Sequence, residues 1–291
     1  MIEYTGPIIV IAGPTASGKS SIAIKLAKEI GGVIINADSK QVYKEISIGT
    51  AKPTEDDMQG IPHHLYGHVS VKDGYNIFKY QKDVNDVLKN LSNNQIPILV
   101  GGTGLYIDSV IFNYNLKEND IDLEKREELN SLSVDELKKL LETEVLDELN
   151  ESDRENPIRL IRLIEKSSSK ELIKGRTLNH IYFVVDKEKV VLSERIKTRV
   201  QDMFNNGLLE ENIQIRENGL EKYLALKTIG YQEFDEYFEG KKSLDEIKEE
   251  IINHTNQYAK RQRTWFRKHK EAIWTDDYDL VLEKSEKFIN T

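Results

Sequence analysis

Gly13-Pro14-Thr15-Ala16-Ser17-Gly18-Lys19-Ser20 is where residue type and spacing imply chemistry most directly. The order G-x-x-x-x-G-K-S is that of a phosphate-binding loop, whose backbone curls so that successive N–H groups face an anion. Gly13, Thr15, Ala16, Ser17, Gly18, Lys19 and Ser20 are therefore candidates to hold a diphosphate or triphosphate. Lys19 would reach the outer oxygens, and the Ser20 hydroxyl is placed to hold Mg²⁺. Asp38 is the second candidate, either as a Mg²⁺ ligand or as a general base that takes a proton from a nucleophile near the phosphates. Thr103, in Gly101-Gly102-Thr103-Gly104, brings a hydroxyl and backbone N–H groups against phosphate oxygens. Arg195 and Arg199 lie one helical turn apart and read either as a solvated face or as a phosphate clamp. His63, His64 and His68 have neither cysteine partners nor regularly spaced carboxylates, so packing or substrate contact is the reading there rather than zinc.

These side chains need elements to position them. Ile8-Ile9-Val10-Ile11-Ala12 reads as a buried strand leading into the loop, and Ile22, Leu26 and Ile30 mark the helix that follows. Val33 to Ala37 is a second strand ending at Asp38, and Ile96 to Val100 a third ending at the Gly101–Gly104 turn. Between them, residues 40 to 74 read as irregular, punctuated by proline and glycine, and a helix is expected from about Asn76 to Leu91. Short, nearly all-apolar strands separated by helices imply an α/β fold with a parallel sheet covered on both faces. Ligands bind such sheets at the carboxyl ends of the strands, so the loop, Asp38 and Thr103 are expected to converge on one crevice.

From 113 to 179 the pattern changes to helices joined by polar connectors, with a capping box at Ser133 to Glu136 and Asn156-Pro157 opening another helix. The expected organisation is a P-loop core made of 1–112 and 180–291, with a helical insertion at 113–179. Ile181 to Val185 returns the chain to the sheet, and Glu188 to Phe204 is a helix carrying both arginines. Ser243 to Glu246 is a further capping box and starts a long helix with Ile247, Ile251, Tyr258 and Trp265 on its packed face.

The net charge of −9 argues by itself against a polyanion partner. Distribution argues otherwise. Residues 260 to 270 carry six Lys or Arg, no acid, and the aromatics Trp265 and Phe266, a patch suited to holding nucleic acid. There is no cysteine, which suits a reducing compartment. No apolar run reaches a membrane span and no basic and apolar leader opens the chain, so a cytoplasmic protein with no membrane partner is expected.

Several of these segments together resemble the tRNA dimethylallyltransferase family. The resemblance is carried by Gly13 to Ser20, Ala37 to Tyr43, Ile48 to Pro53, Pro62 to Leu65 and Gly101 to Tyr106. Arg159 to Arg162, Gly230-Tyr231 and Lys260 to Trp265 extend it over nearly the whole chain. It implies transfer of a dimethylallyl group from dimethylallyl diphosphate to N6 of the adenosine 3′-adjacent to the anticodon in tRNA, with diphosphate released and Mg²⁺ as cofactor. On this likeness Asp38 is the general base, while Thr103 and Arg199 join Lys19 in stabilising the departing diphosphate. Asp38, Ser39, Lys40, Gln41 and Thr103 would face the target adenine. Ile158, Arg159, Leu160, Ile161 and Arg162 fall at a tRNA-contacting stretch, and Arg261 and Arg263 belong to the basic patch. The family usually has Gln where Ile158 stands, and often Arg or Lys at Gln232. No zinc-finger extension of the eukaryotic kind follows, so the bacterial type is implied, and a monomer is expected. The alternatives are a P-loop nucleotide or small-molecule kinase, an adenylate-type prenyltransferase, and an RNA-binding module gated by a nucleoside triphosphate.

Overall fold

The computed structural model describes residues 1–92, 94–116, 128–129, 131–166 and 173–291; the side chains of Ser152, Ile158, Arg162, Glu165 and Lys166 lie outside that description. The chain divides into two compact units, 1–113 with 176–291, and 114–175.

In the larger unit β1 (Ile8–Ala12), β2 (Gly32–Asn36), β3 (His63–His64), β4 (Ile96–Gly101), β5 (His180–Val184) and β6 (Ile273–Trp274) form one sheet in the order β3-β2-β4-β1-β5-β6. Every pairing is parallel. Helices α1 (Lys19–Ile30), α2 (Glu55–Met58), α3 (Ile77–Lys89) and α4 (Gly104–Ile111) belong to its first half. Alternation along the strands sets the two helical layers. Ile8, Val10 and Ala12 turn to the face where Tyr80 and Val84 of α3 and Ile107 and Val110 of α4 are buried. Ile9 and Ile11 turn to the other face, where Ala23, Leu26 and Ala27 of α1 are buried.

The smaller unit contains α5 (Val134–Lys139), α6 (Thr143–Asp147), α7 (Glu151–Arg154) and α8 (Pro157–Lys166). Ser133 and Glu136 close the expected capping box at the start of α5. Leu129, Leu137, Leu160, Ile161 and Ile164 form its core.

The chain then supplies α9 (Lys189–Asn205), α10 (Leu208–Glu217), α11 (Phe234–Phe238), α12 (Leu244–Phe266) and α13 (Tyr278–Ile289) to the larger unit. Leu192, Ile196 and Val200 of α9 pack with Ile247, Ile251 and Ala259 of α12 in a cluster that includes Ala16 of the phosphate-binding loop. Two late helices are thereby fixed against the first loop of the chain.

The segment from 40 to 74 is more ordered than its sequence suggests. It holds α2, whose capping box is made by Thr54 and Asp57, the edge strand β3, and a parallel bridge between Tyr43 and Val69. Elements of two to four residues carry no readable periodicity. The Glu211 carboxylate ties this segment to α10 by accepting from the N–H groups of Ser47, Ile48 and Gly49 and from the Tyr231 hydroxyl. That clasp gives Tyr231 of the Gly230-Tyr231 pair its partner.

Candidate active site

The phosphate-binding loop joins β1 to α1. Gly13 is required by close approach, since a Cβ there would lie 2.2 Å from the Val185 carbonyl oxygen. Ala16 takes the left-handed conformation, with φ 62°, as does Gly18 with φ 99°, and these two turns produce the curl of the loop. The N–H groups of the first turn of α1, beginning at Lys19, have no intrahelical acceptor and add positive potential at this end. The Ser17 hydroxyl is buried and has no protein partner, as expected of a donor reserved for an anion. Lys19 Nζ donates to the Pro14 carbonyl at 3.2 Å, folding back over the loop, while Ser20 is exposed.

Asp38 lies just beyond β2 and is held by its neighbours. The Asn36 side chain accepts from the Asp38 N–H at 2.8 Å and donates to the Asp38 and Leu65 carbonyls. Asp38 Oδ1 accepts from the Lys40 N–H at 2.9 Å. Oδ2 accepts no hydrogen bond among the described residues, so one carboxylate oxygen remains for a proton. Thr103 sits beside it, with Oγ1 accepting from the Ser39 N–H at 3.0 Å and the Thr103 N–H donating to the Ala37 carbonyl at 3.1 Å. The ends of β2 and β4 are therefore bonded to each other at the candidate base.

The cations complete the crevice. Arg199 Nη1 donates to Thr15 Oγ1 at 3.2 Å, and Arg195, exposed, donates to the Ser17 carbonyl at 3.3 Å. Burial lowers the Lys19 ammonium to about 8, with Arg199 adding to the shift and Asp38 opposing it. Burial also lowers Arg199 and Lys40, each again opposed by Asp38. Lys19, Arg199 and Lys40 therefore share the field of one carboxylate, an arrangement favouring an anionic ligand that restores the charge balance.

Other candidates divide. Lys40 Nζ donates to the Ala225 carbonyl and the Gln41 amide to the Thr50 and Ala51 carbonyls, so both long side chains shape the loop. Arg263 departs from the expected RNA-facing role. It turns inward, and its guanidinium clamps Asp186 through Nε and Nη2, anchoring α12 beyond β5. A guanidinium fork matches a carboxylate, and an inward-facing position on the helix brings the two together. Arg261 stays exposed, as do Lys260, Arg267 and Lys268. Leu160 and Ile161 also depart from the expected RNA contact. They are buried at 0% and 3% exposure because they lie on the apolar stripe of α8. Arg159 is exposed and pairs with Asp153 at 3.2 Å. The side chains of Ile158 and Arg162 fall outside the described residues. Among the described residues no group of acids, histidines or cysteines could hold a metal by itself.

Sequence reasoning left three site residues without a role. Asn36 has a signal, being the polar end of an apolar strand. Tyr258 does not; burial raises its hydroxyl, Asp38 reinforces the shift, and hydrogen bonding to Thr103 and Gln262 opposes it. Gln262, 4% exposed, bonds to Thr15 and Gly102.

A phosphate-binding loop between the first strand and helix of a parallel sheet, close to a strand-end carboxylate, defines a P-loop α/β protein. The sequence profile of the IPP transferase family matches residues 41–269. A tRNA dimethylallyltransferase of Thermoanaerobacter sp. is 36% identical over 97% of this chain and 96% of its own. The solved tRNA isopentenylpyrophosphate transferase of Bacillus halodurans superposes with a TM-score of 0.74 at 31% identity, over 98% of this chain and 96% of that one. A eukaryotic dimethylallyltransferase acting on tRNA gives a TM-score of 0.80 at 25% identity, over 98% of this chain and 80% of that one. The chain belongs to the IPP transferase family.

Proposed function

We propose that the protein transfers a dimethylallyl group from dimethylallyl diphosphate to N6 of the adenosine next to the anticodon, on its 3′ side, in tRNA. The observation that carries this reading is a cationic loop for a diphosphate beside a carboxylate with a free oxygen. The named activities of the relatives support the same reading. In the reaction the C–O bond to diphosphate breaks, the N6–C bond forms, and the N6 proton passes to Asp38 Oδ2. Lys19, Arg199 and the N–H groups of the loop stabilise the negative charge that collects on the leaving diphosphate. Thr103 holds the Ser39 backbone and so orients Asp38.

The oxygen donors at this end suit Mg²⁺, which binds through one or two protein oxygens together with substrate phosphates and needs no protein cage. Ser20, exposed on the first turn of α1, would hold it, and the ion would neutralise diphosphate charge. The anticodon stem-loop would rest on the exposed Lys260, Arg261, Arg267 and Lys268, with Arg159 a further contact. The protein would act as a monomer in the cytoplasm; among the described residues no helix is long and apolar enough to cross a membrane.

Offering unmodified tRNA, or free adenylate, with either dimethylallyl diphosphate or ATP tests the reading. The expected outcome is a mass increase of one dimethylallyl group on the tRNA with the prenyl donor alone. Phosphate transfer from ATP would make the protein a kinase, and modification confined to adenylate would remove tRNA as the acceptor.

A further inference from the structure

α12 turns one uncharged polar side chain into the heart of the crevice. The Gln262 amide oxygen accepts from the Thr15 N–H at 2.9 Å, and its nitrogen donates to the Gly102 carbonyl at 3.0 Å. The two partners belong to different strands. Thr15 follows β1, Gly102 follows β4, and the last paired residues of these strands are Ala12 and Gly101. Beyond that pair the backbones separate, and the side-chain amide supplies one more acceptor and one more donor, as a peptide group of an intervening strand would.

Only a residue with this donor–acceptor pair fits. The backbone partners fix which end of the amide faces which loop. Glycine at 102 leaves room for the approach, since a Cβ there would lie 2.1 Å from the Gln262 nitrogen and would displace the amide. Through these two bonds one face of α12 touches both loops.

Each loop carries one half of the chemistry. Thr15 holds Arg199 and lies in the loop of Lys19; Gly102 leads into Thr103, which holds Ser39 beside Asp38. We propose that Gln262 is a positioning residue for the transfer, splicing the two loops and setting the distance between the diphosphate-holding groups and Asp38. This rests on the reaction assigned above.

Gln262→Met keeps the volume and removes both bonds, and Gln262→Glu tests the donor. A carboxylate still accepts from Thr15 but opposes the Gly102 carbonyl, whereas a protonated carboxyl restores the pair. With prenyl donor and tRNA, Gln262→Met is expected to lower kcat by about tenfold to a hundredfold, because misplacement of reacting groups by an ångström costs this much. KM for tRNA should stay within about threefold, as no RNA contact is removed. The activity of Gln262→Glu relative to wild type should rise about threefold or more as the pH falls from about 8 to about 6, since burial raises the pKa of the new carboxyl. A folded Gln262→Met with kcat within about twofold of wild type overturns the proposal, that change being too small for a displaced loop. So does a Gln262→Glu ratio that is flat with pH, and this second result decides alone if Gln262→Met fails to fold. Affinity for inorganic diphosphate with Mg²⁺ separates the two levels. A wild-type chain that binds diphosphate without prenylating tRNA defeats the assigned reaction. Gln262→Met, which frees Thr15 of the phosphate-binding loop, should bind diphosphate about threefold or more weakly than wild type, and unchanged affinity in that variant defeats the splice.

Discussion

The crevice of the larger unit and the surface of the 114–175 unit hold positive charge in opposite ways. Lys19 and Arg199 are half-buried, lowered by burial, and exposed to the single carboxylate of Asp38. Arg154 and Arg159 lie at the surface, each matched with its own acid, Asp147 at 3.4 Å and Asp153 at 3.2 Å. Both regions carry Lys and Arg, yet in the crevice three partly buried cations, Lys19, Arg199 and Lys40, face one carboxylate, whereas Arg154 and Arg159 each have their own. A buried cationic deficit binds a multivalent anion, whereas a paired surface contributes little to binding or stability. The outer face of α12 lies between these extremes, exposed but with Lys260 and Arg267 unpaired among the described residues.

The largest effect that can break this comparison is on turnover. Lys19→Ala and Asp38→Ala should each lower the prenylation rate by roughly a hundredfold or more, the typical loss when one charge-stabilising or proton-accepting group is removed. They should differ in binding. Lys19→Ala should also weaken the prenyl donor, while Asp38→Ala keeps donor and tRNA affinity; near-normal turnover by Asp38→Ala would remove it from the base role.

Next comes pH. The ammonium of Lys19 is charged below about 8 and neutral above it, so donor affinity should be full below that pH and fall by up to about tenfold per pH unit above it. In Lys19→Arg, whose guanidinium stays charged, the alkaline limb should flatten. A wild-type profile that does not change through this range would place the charge deficit elsewhere.

Stability gives a smaller contrast. Arg263→Ala leaves the partly buried Asp186 without its fork and should cost about 1–3 kcal/mol in denaturant unfolding. Arg159→Ala, at an exposed pair, should cost less than about 1 kcal/mol. Equal losses would mean that burial does not separate the two sites.

The smallest effect concerns RNA. Arg261→Ala should reduce the slope of log affinity against log salt by about one, as for one lost phosphate contact. Arg159→Ala should change it less, because Asp153 already neutralises part of its charge. An unchanged slope in Arg261→Ala would leave the outer face of α12 with no part in holding RNA.

The sequence by itself determined the local chemistry. The Gly13–Ser20 spacing, the apolar strands and the capping boxes at Ser133 and Ser243 are set by residues within a few positions of one another, and such short-range rules can be read directly. Asp38 and Thr103 were legible for the same reason, each standing at the end of an apolar run. What only the tertiary structure decided is which side chains at long sequence separation share a space. Gln262 meets Thr15 across 247 residues, and Glu211 clasps a loop more than 160 positions earlier. Arg261 and Arg263 look alike in a basic run, yet one faces solvent and the other Asp186. Helical rotation turns neighbours two positions apart in different directions, and only the packed partner determines which direction is the interior.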